Sequence, residues 1–140
     1  MTILRLSTAA LFLLACPPAS QVARLAGPDG PPVEVGRYPD YVVMLGGDHP
    51  LARRAEKLRP DIEGHESILR QMVRDRIETK SPLEFRFMYV GYDSIHQRLI
   101  MRYFARHPDP STIAGWQVQL IYTLPRLRLV RAYVQEVPLE

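Results

Sequence analysis

Apolar positions change their spacing along the chain, and each spacing predicts a different element. Residues 6–15 form a compact apolar run that stops at Cys16-Pro17-Pro18. A stretch broken by Pro17, Pro18, Gly27, Pro28, Gly30, Pro31 and Pro32 follows, which resists helix and sheet alike. Tyr41-Val42-Val43-Met44-Leu45, between Pro39-Asp40 and Gly46-Gly47, predicts a short buried strand. Asp48 is a candidate helix cap with Pro50 in the first turn, and Leu51, Ala55 and Leu58 share one face before Pro60 ends the pattern. Asp61 is a second candidate cap. Ile62, Leu69, Met72, Val73 and Ile77 then recur at helical spacing, with Ile68 widening the stripe, to about Thr79.

Beyond Pro82 the period becomes two. Phe85, Phe87 and Tyr89 alternate with Arg86, Met88 and Val90, and Leu99, Met101 and Tyr103 with Arg98, Ile100 and Arg102. Trp116, Val118, Leu120 and Tyr122 alternate with Gln117, Gln119, Ile121 and Thr123. A last strand runs from Arg126 to Val137, with Leu127, Leu129 and Tyr133 on one face. Turns are expected at Asp93-Ser94 and around Pro125. Consecutive strands with short connections pair antiparallel.

The expectation is an α+β domain over residues 33–140: an antiparallel β-meander of about four to five strands packed on two N-terminal helices. Phe85, Phe87, Tyr89, Leu99, Met101, Trp116, Val118, Leu120, Leu69 and Val73 are its expected core. In layer arrangement alone this resembles cystatin-like and NTF2-like shapes.

The amino-terminal run has Arg5 in its leader and is too short for a membrane span of about 20 residues. Leu13-Leu14-Ala15-Cys16 resembles the lipobox of bacterial lipoproteins, with an aliphatic residue three before the cysteine and a small one just before it. Leu14 departs from the smaller residue often found there. The resemblance implies a signal peptide at 1–15, lipidation of the Cys16 thiol, and export to the cell envelope on a lipid anchor. Pro17, where an aspartate would favour retention at the inner membrane, implies the outer membrane in a Gram-negative cell. Residues 16–32 would then be a tether, reaching about 50 Å at ~3.1 Å per residue. Cys16 is the only cysteine, so the chain has no internal disulfide.

The net charge of +3 is too balanced to predict a nucleic-acid binder. Lys occurs only at 57 and 80, leaving Arg to carry nearly all the positive charge. Arg86, Arg98, Arg102 and Arg106 fall on one strand face, with Arg126 and Arg128 on the last strand and Arg131 on the opposite face. With Phe104 and Tyr92 they would form a basic, partly aromatic surface for an anionic envelope ligand or protein. The simpler account is a solvated face whose Arg stems cover Ile100 and Met88.

Catalytic motifs are weak. Gly46-Gly47-Asp48-His49 is similar to the signature of diguanylate cyclases, but a Gly-Gly turn before a capping Asp accounts for it. His65-Glu66 opens like a zinc-protease motif, yet position 69 is Leu. Asp48, His49 and His65 are the candidate pocket residues, and no metal or cofactor is expected. The leading expectation is a non-catalytic module that binds a partner or ligand. The alternatives are a small hydrolase or isomerase with a pocket between sheet and helices, and a structural subunit of an envelope complex.

Overall fold

Alternation from Glu84 onward builds four long strands, and shorter segments before them add a short strand at each edge of one sheet. The computed structural model describes residues 20–109 and 114–138. Cys16 and the segment expected to be a signal peptide lie outside them. The strands are β1 (Val33–Val35), β2 (Val43–Met44), β3 (Glu84–Asp93), β4 (Arg98–Arg106), β5 (Ala114–Thr123) and β6 (Arg128–Pro138). The sheet order is β1-β6-β5-β4-β3-β2. β3 to β6 form the expected antiparallel meander. The sheet is nonetheless mixed and six-stranded, because β1 adds parallel to β6 and β2 adds antiparallel to β3.

Three consecutive helical segments, α1 (Pro50–Glu56), α2 (Arg59–Glu63) and α3 (Glu66–Arg76), form one bent arm on the inner sheet face. His49 caps α1 in place of Asp48: its ring accepts from the Leu51 N–H at 3.1 Å. Pro60 starts α2 instead of ending a helix, because proline's missing N–H costs nothing in a first turn. Leu69, Met72 and Val73 of α3 meet Leu99, Met101, Trp116, Val118, Leu120 and Tyr122 in the main core.

Two β-bulges change the faces that strict alternation assigns. The register slips between Phe87 and Tyr89, so Tyr89 stands opposite Arg102 on the outer face and Val90 turns to the core. A second slip lies between Ile121 and Tyr122, where Val130 is the extra residue of β6. It brings Arg131 opposite Ile121 and Tyr133 opposite Gln119, so both join the outer face. The expected positions of Tyr89, Tyr133 and Arg131 are corrected accordingly.

The 41–45 segment is not a buried strand. β2 is an edge pair with Val43 and Met44 exposed, and only Leu45 packs on the main core. The amino-terminal stretch also differs from an open tether. Ala23–Ala26 forms a 3-10 turn, and its Leu25 (8% exposed) and the Val22 before it (0%) are buried in the main core. The Gln21 amide donates to Leu127 O and accepts from Leu129 N–H, fastening this turn to the start of β6. Burial of two aliphatic side chains outweighs the local preference of a Pro/Gly-rich stretch for open chain.

Since β1 and β2 lie at opposite edges, the 36–42 connection crosses the whole outer face as a strap. Five strand spacings make about 24 Å, and eight residue steps reach at most about 28 Å, so the strap runs nearly taut. Beneath it Ile100, Ile121 and Tyr133 form a second small core with Tyr38, Val42 and Val130.

Candidate functional site

The strap divides the outer face into a covered half, toward the β3–β4 hairpin, and an open half. The covered half is organised by Asp93, the last residue of β3 and 1% exposed. Its Oδ1 accepts from the Ile95 N–H at 2.9 Å and the His96 N–H at 3.1 Å, which fixes the hairpin turn. Its Oδ2 accepts from the Tyr38 hydroxyl at 2.6 Å and bonds His96 Nδ1 at 2.8 Å. Burial pushes the Asp93 pKa up, but the bonds from Tyr38, His96 and Ile95 outweigh it and hold the carboxyl at about 2. The same burial and the neighbouring Asp93 charge raise the Tyr38 phenol above its usual range. Tyr38 N–H also donates to Gln119 Oε1 at 2.8 Å.

Asp40, Asp93 and His96 are the one group of three metal-type donors found among the described residues, with ligand atoms within 4.8 Å of one another. His96 Nδ1 lies 3.7 Å from Asp40. Four donors already meet the Asp93 carboxylate, so a cation there would have to displace Tyr38 or His96. An Asp–His pair can also orient a general base. The adjacent cavity, of about 400 Å³, is lined by Tyr38, Arg98, Arg131 and Tyr133 among others and holds no Ser, Thr or Cys to activate. The arrangement is that of a lock between strap and hairpin.

The open half carries the expected arginines. Arg102 donates to the Tyr89 hydroxyl at 2.9 Å, and its guanidinium lies 5.2 Å from that ring's centre. Glu84, Phe85, Arg86, Met88, Phe104 and Arg106 line a cavity of about 450 Å³. Arg106 approaches Glu84 at 3.5 Å. Arg86 has no ion-pair partner among the described residues. Arg102 Nε and Gln117 Oε1 are buried without hydrogen-bond partners among the described residues.

The expected basic set is therefore split. Arg86, Arg102 and Arg106 share the open half. Arg98 lies beside the lock, donating to His96 O at 3.1 Å. Arg128 stands at a corner of the sheet in a cavity with Gln21, Arg24 and Asp29, and Arg126 is in the exposed β5–β6 turn. The candidate pocket residues each have local roles. Asp48 is exposed and 3.7 Å from Arg53, His49 caps α1, and His65 Nδ1 bonds Asp61 O at 2.7 Å.

The inner face is filled by Trp116 (6% exposed) and Leu120 (0%), with Phe85 half-buried. A slot of about 290 Å³ remains at its margin among Leu69, Phe85, Phe87 and Tyr103, bordered by Arg59 and Glu63. The Tyr103 hydroxyl there has no hydrogen-bond partner among the described residues.

Sequence reading passed over Tyr38, Asp40, Asp93 and His96 as a group. Asp93 signalled only a turn, and nothing in a sequence pattern announces that a strap brings Tyr38 over it. Among the described residues no helix is long and apolar enough to cross a membrane. The chain matches no protein-family model, no curated protein and no solved structure.

Proposed function

We propose that this chain is a lipid-anchored envelope protein whose domain is a non-catalytic module, binding an anionic partner on the open half of its outer sheet face. The observation that carries the reading is the placement of Arg86 and Arg106 around the Phe104- and Met88-lined cavity, beside Arg102, where the strap leaves the sheet uncovered. Arginine suits such a surface because its planar fork pairs with carboxylate or phosphate while its stem packs on aromatics. The lipobox-like Leu13-Leu14-Ala15-Cys16 supports attachment through Cys16 and exposure of the domain to other envelope components.

The test is capture from detergent-solubilised envelopes by the immobilised protein. The Arg86→Glu, Arg106→Glu double variant is expected to lose the captured species, and unchanged capture would sink the reading. Attachment is tested separately by labelling cells with radioactive palmitate. The wild-type chain takes up label and Cys16→Ser does not.

A further inference from the structure

β2 covers only the upper end of β3. Val43 and Met44 pair with Tyr92 and Gly91, and the Leu45 N–H donates to Val90 O at 2.9 Å. From Glu84 to Tyr89, the side of β3 turned away from β4 has no strand beside it among the described residues.

Ladder alternation identifies the unpaired groups. Val90 turns its carbonyl toward β2, so Gly91 and its partner Ile100 face each other. Along β4, Arg102, Phe104 and Arg106 then also face β3. Phe85 and Phe87, opposite Ala105 and Tyr103, must turn their N–H and C=O groups outward. The bulge at Met88 ends this regular stretch. Short edges broken by a bulge and a cation discourage indiscriminate pairing, so this edge suits only a short and complementary strand.

A strand added antiparallel here would form hydrogen-bonded pairs with Phe85 and Phe87. Its residue opposite Arg86 would share the outer face with that guanidinium, which has no ion-pair partner among the described residues. Its neighbours would turn to the other face, beside a groove of about 440 Å³ lined by Met44, Leu45, Ala52 and Phe87. The complement is therefore apolar–acidic–apolar. A second copy of this chain fits poorly, since self-pairing of the Phe85-Arg86-Phe87 stretch sets Arg86 opposite Arg86 and like charges directly opposite destabilise a pair.

We propose that the free edge of β3 at Phe85–Phe87 receives an extended apolar–acidic–apolar segment of a partner protein as a seventh strand of the sheet. This rests on the reading of Arg86 as part of the anion-binding face, and adds the mode of docking and the chemistry of the partner.

The experiment uses the full chain in mild detergent and two synthetic peptides, Thr-Val-Glu-Val-Thr and Thr-Val-Lys-Val-Thr. Amide hydrogen exchange and fluorescence anisotropy are the readouts. The glutamate peptide should slow exchange at Phe85 and Phe87 and bind about fivefold or more tightly than the lysine peptide. Arg86→Glu should reverse that preference. Unchanged exchange at these two amides with millimolar peptide, or equal binding of the two peptides, overturns strand addition. Protection of both amides that grows with protein concentration and needs no peptide assigns the edge to a second copy and overturns it too. If the glutamate peptide leaves both amides unprotected but Arg102→Glu weakens its binding, strand addition falls and the anion-binding face stands. If neither peptide binds and envelope capture ignores the Arg86→Glu, Arg106→Glu variant, both readings fall.

Discussion

The Tyr38 hydroxyl donates a 2.6 Å hydrogen bond to Asp93 Oδ2 and joins two residues that lie 55 positions apart in the chain. Tyr38 belongs to the strap between the two sheet edges, and Asp93 belongs to the β3–β4 hairpin. The bond thus ties the crossover to the hairpin end of β3, one strand in from the β2 edge. It also fixes where the covered half of the outer face ends and the open, arginine-bearing half begins.

Tyr38→Phe removes that donor and leaves the ring in its edge contact with Tyr133, whose centroid is 6.2 Å away. A hydrogen bond to a buried carboxylate contributes about 1.5–3 kcal/mol. The variant is expected to unfold with a midpoint lowered by roughly 6–12 °C, measured by circular dichroism. A loss below about 0.5 kcal/mol would show that the strap is held by Val42 and the Gln119 bond instead.

Acid should release the same lock. Asp93 is held at about 2 against an ordinary value of 3.8. A depressed folded-state pKa contributes stability that is complete above the unfolded value and lost as pH falls through the folded one. The loss attributable to Asp93 therefore falls between about pH 4 and pH 2. Urea titrations across that window should show a steeper loss for the wild type than for Asp93→Asn, which is less stable at neutral pH but lacks this carboxylate. Parallel slopes would remove Asp93 as the source.

The amino-terminal turn should matter more than its composition implies. Val22 and Leu25 are buried against the main core, and fully burying two such side chains contributes about 3–6 kcal/mol. A chain starting at Val33 is expected to be less stable by that order than one starting at Ser20, or not to fold. Val22→Ala alone should cost about 1–2 kcal/mol in urea denaturation. Equal midpoints for the two starting points would restore the segment to the role of a plain tether.

The parts of this fold legible in the sequence are those where local pattern and burial coincide. Trp116, Val118, Leu120 and Tyr122 alternate without interruption, and their faces are as the period predicts. Leu69, Met72 and Val73 likewise sit on the buried side of α3. Period alone misplaces Tyr89, Tyr133 and Arg131, because a bulge inserts one residue without leaving a compositional mark at Met88 or Val130. It also cannot join Tyr38 to Asp93, a contact set by the reach of the strap across the sheet. The basic open half was half visible: Arg86, Arg102 and Arg106 share a face, but their separation from Arg98 depends on the strap's path.

Gly115 offers a test of the open face that leaves every arginine in place. It faces outward opposite Arg106 on β4, and a Cβ there would lie 2.4 Å from Phe104 Cζ and 3.0 Å from the Ala105 carbonyl. The Phe104 ring thus rests on the bare backbone of Gly115, and this seats it in the wall of the Arg86–Arg106 cavity. In Gly115→Ala the ring must swing away, while the backbone at Ala105 has to yield by a few tenths of an ångström. Overpacking of this kind costs about 1–3 kcal/mol. The variant should remain folded but show shifted side-chain resonances for Phe104, and envelope capture should weaken although no charge has changed. Full capture with a displaced Phe104 ring would mean that the arginines bind their partner without the aromatic wall.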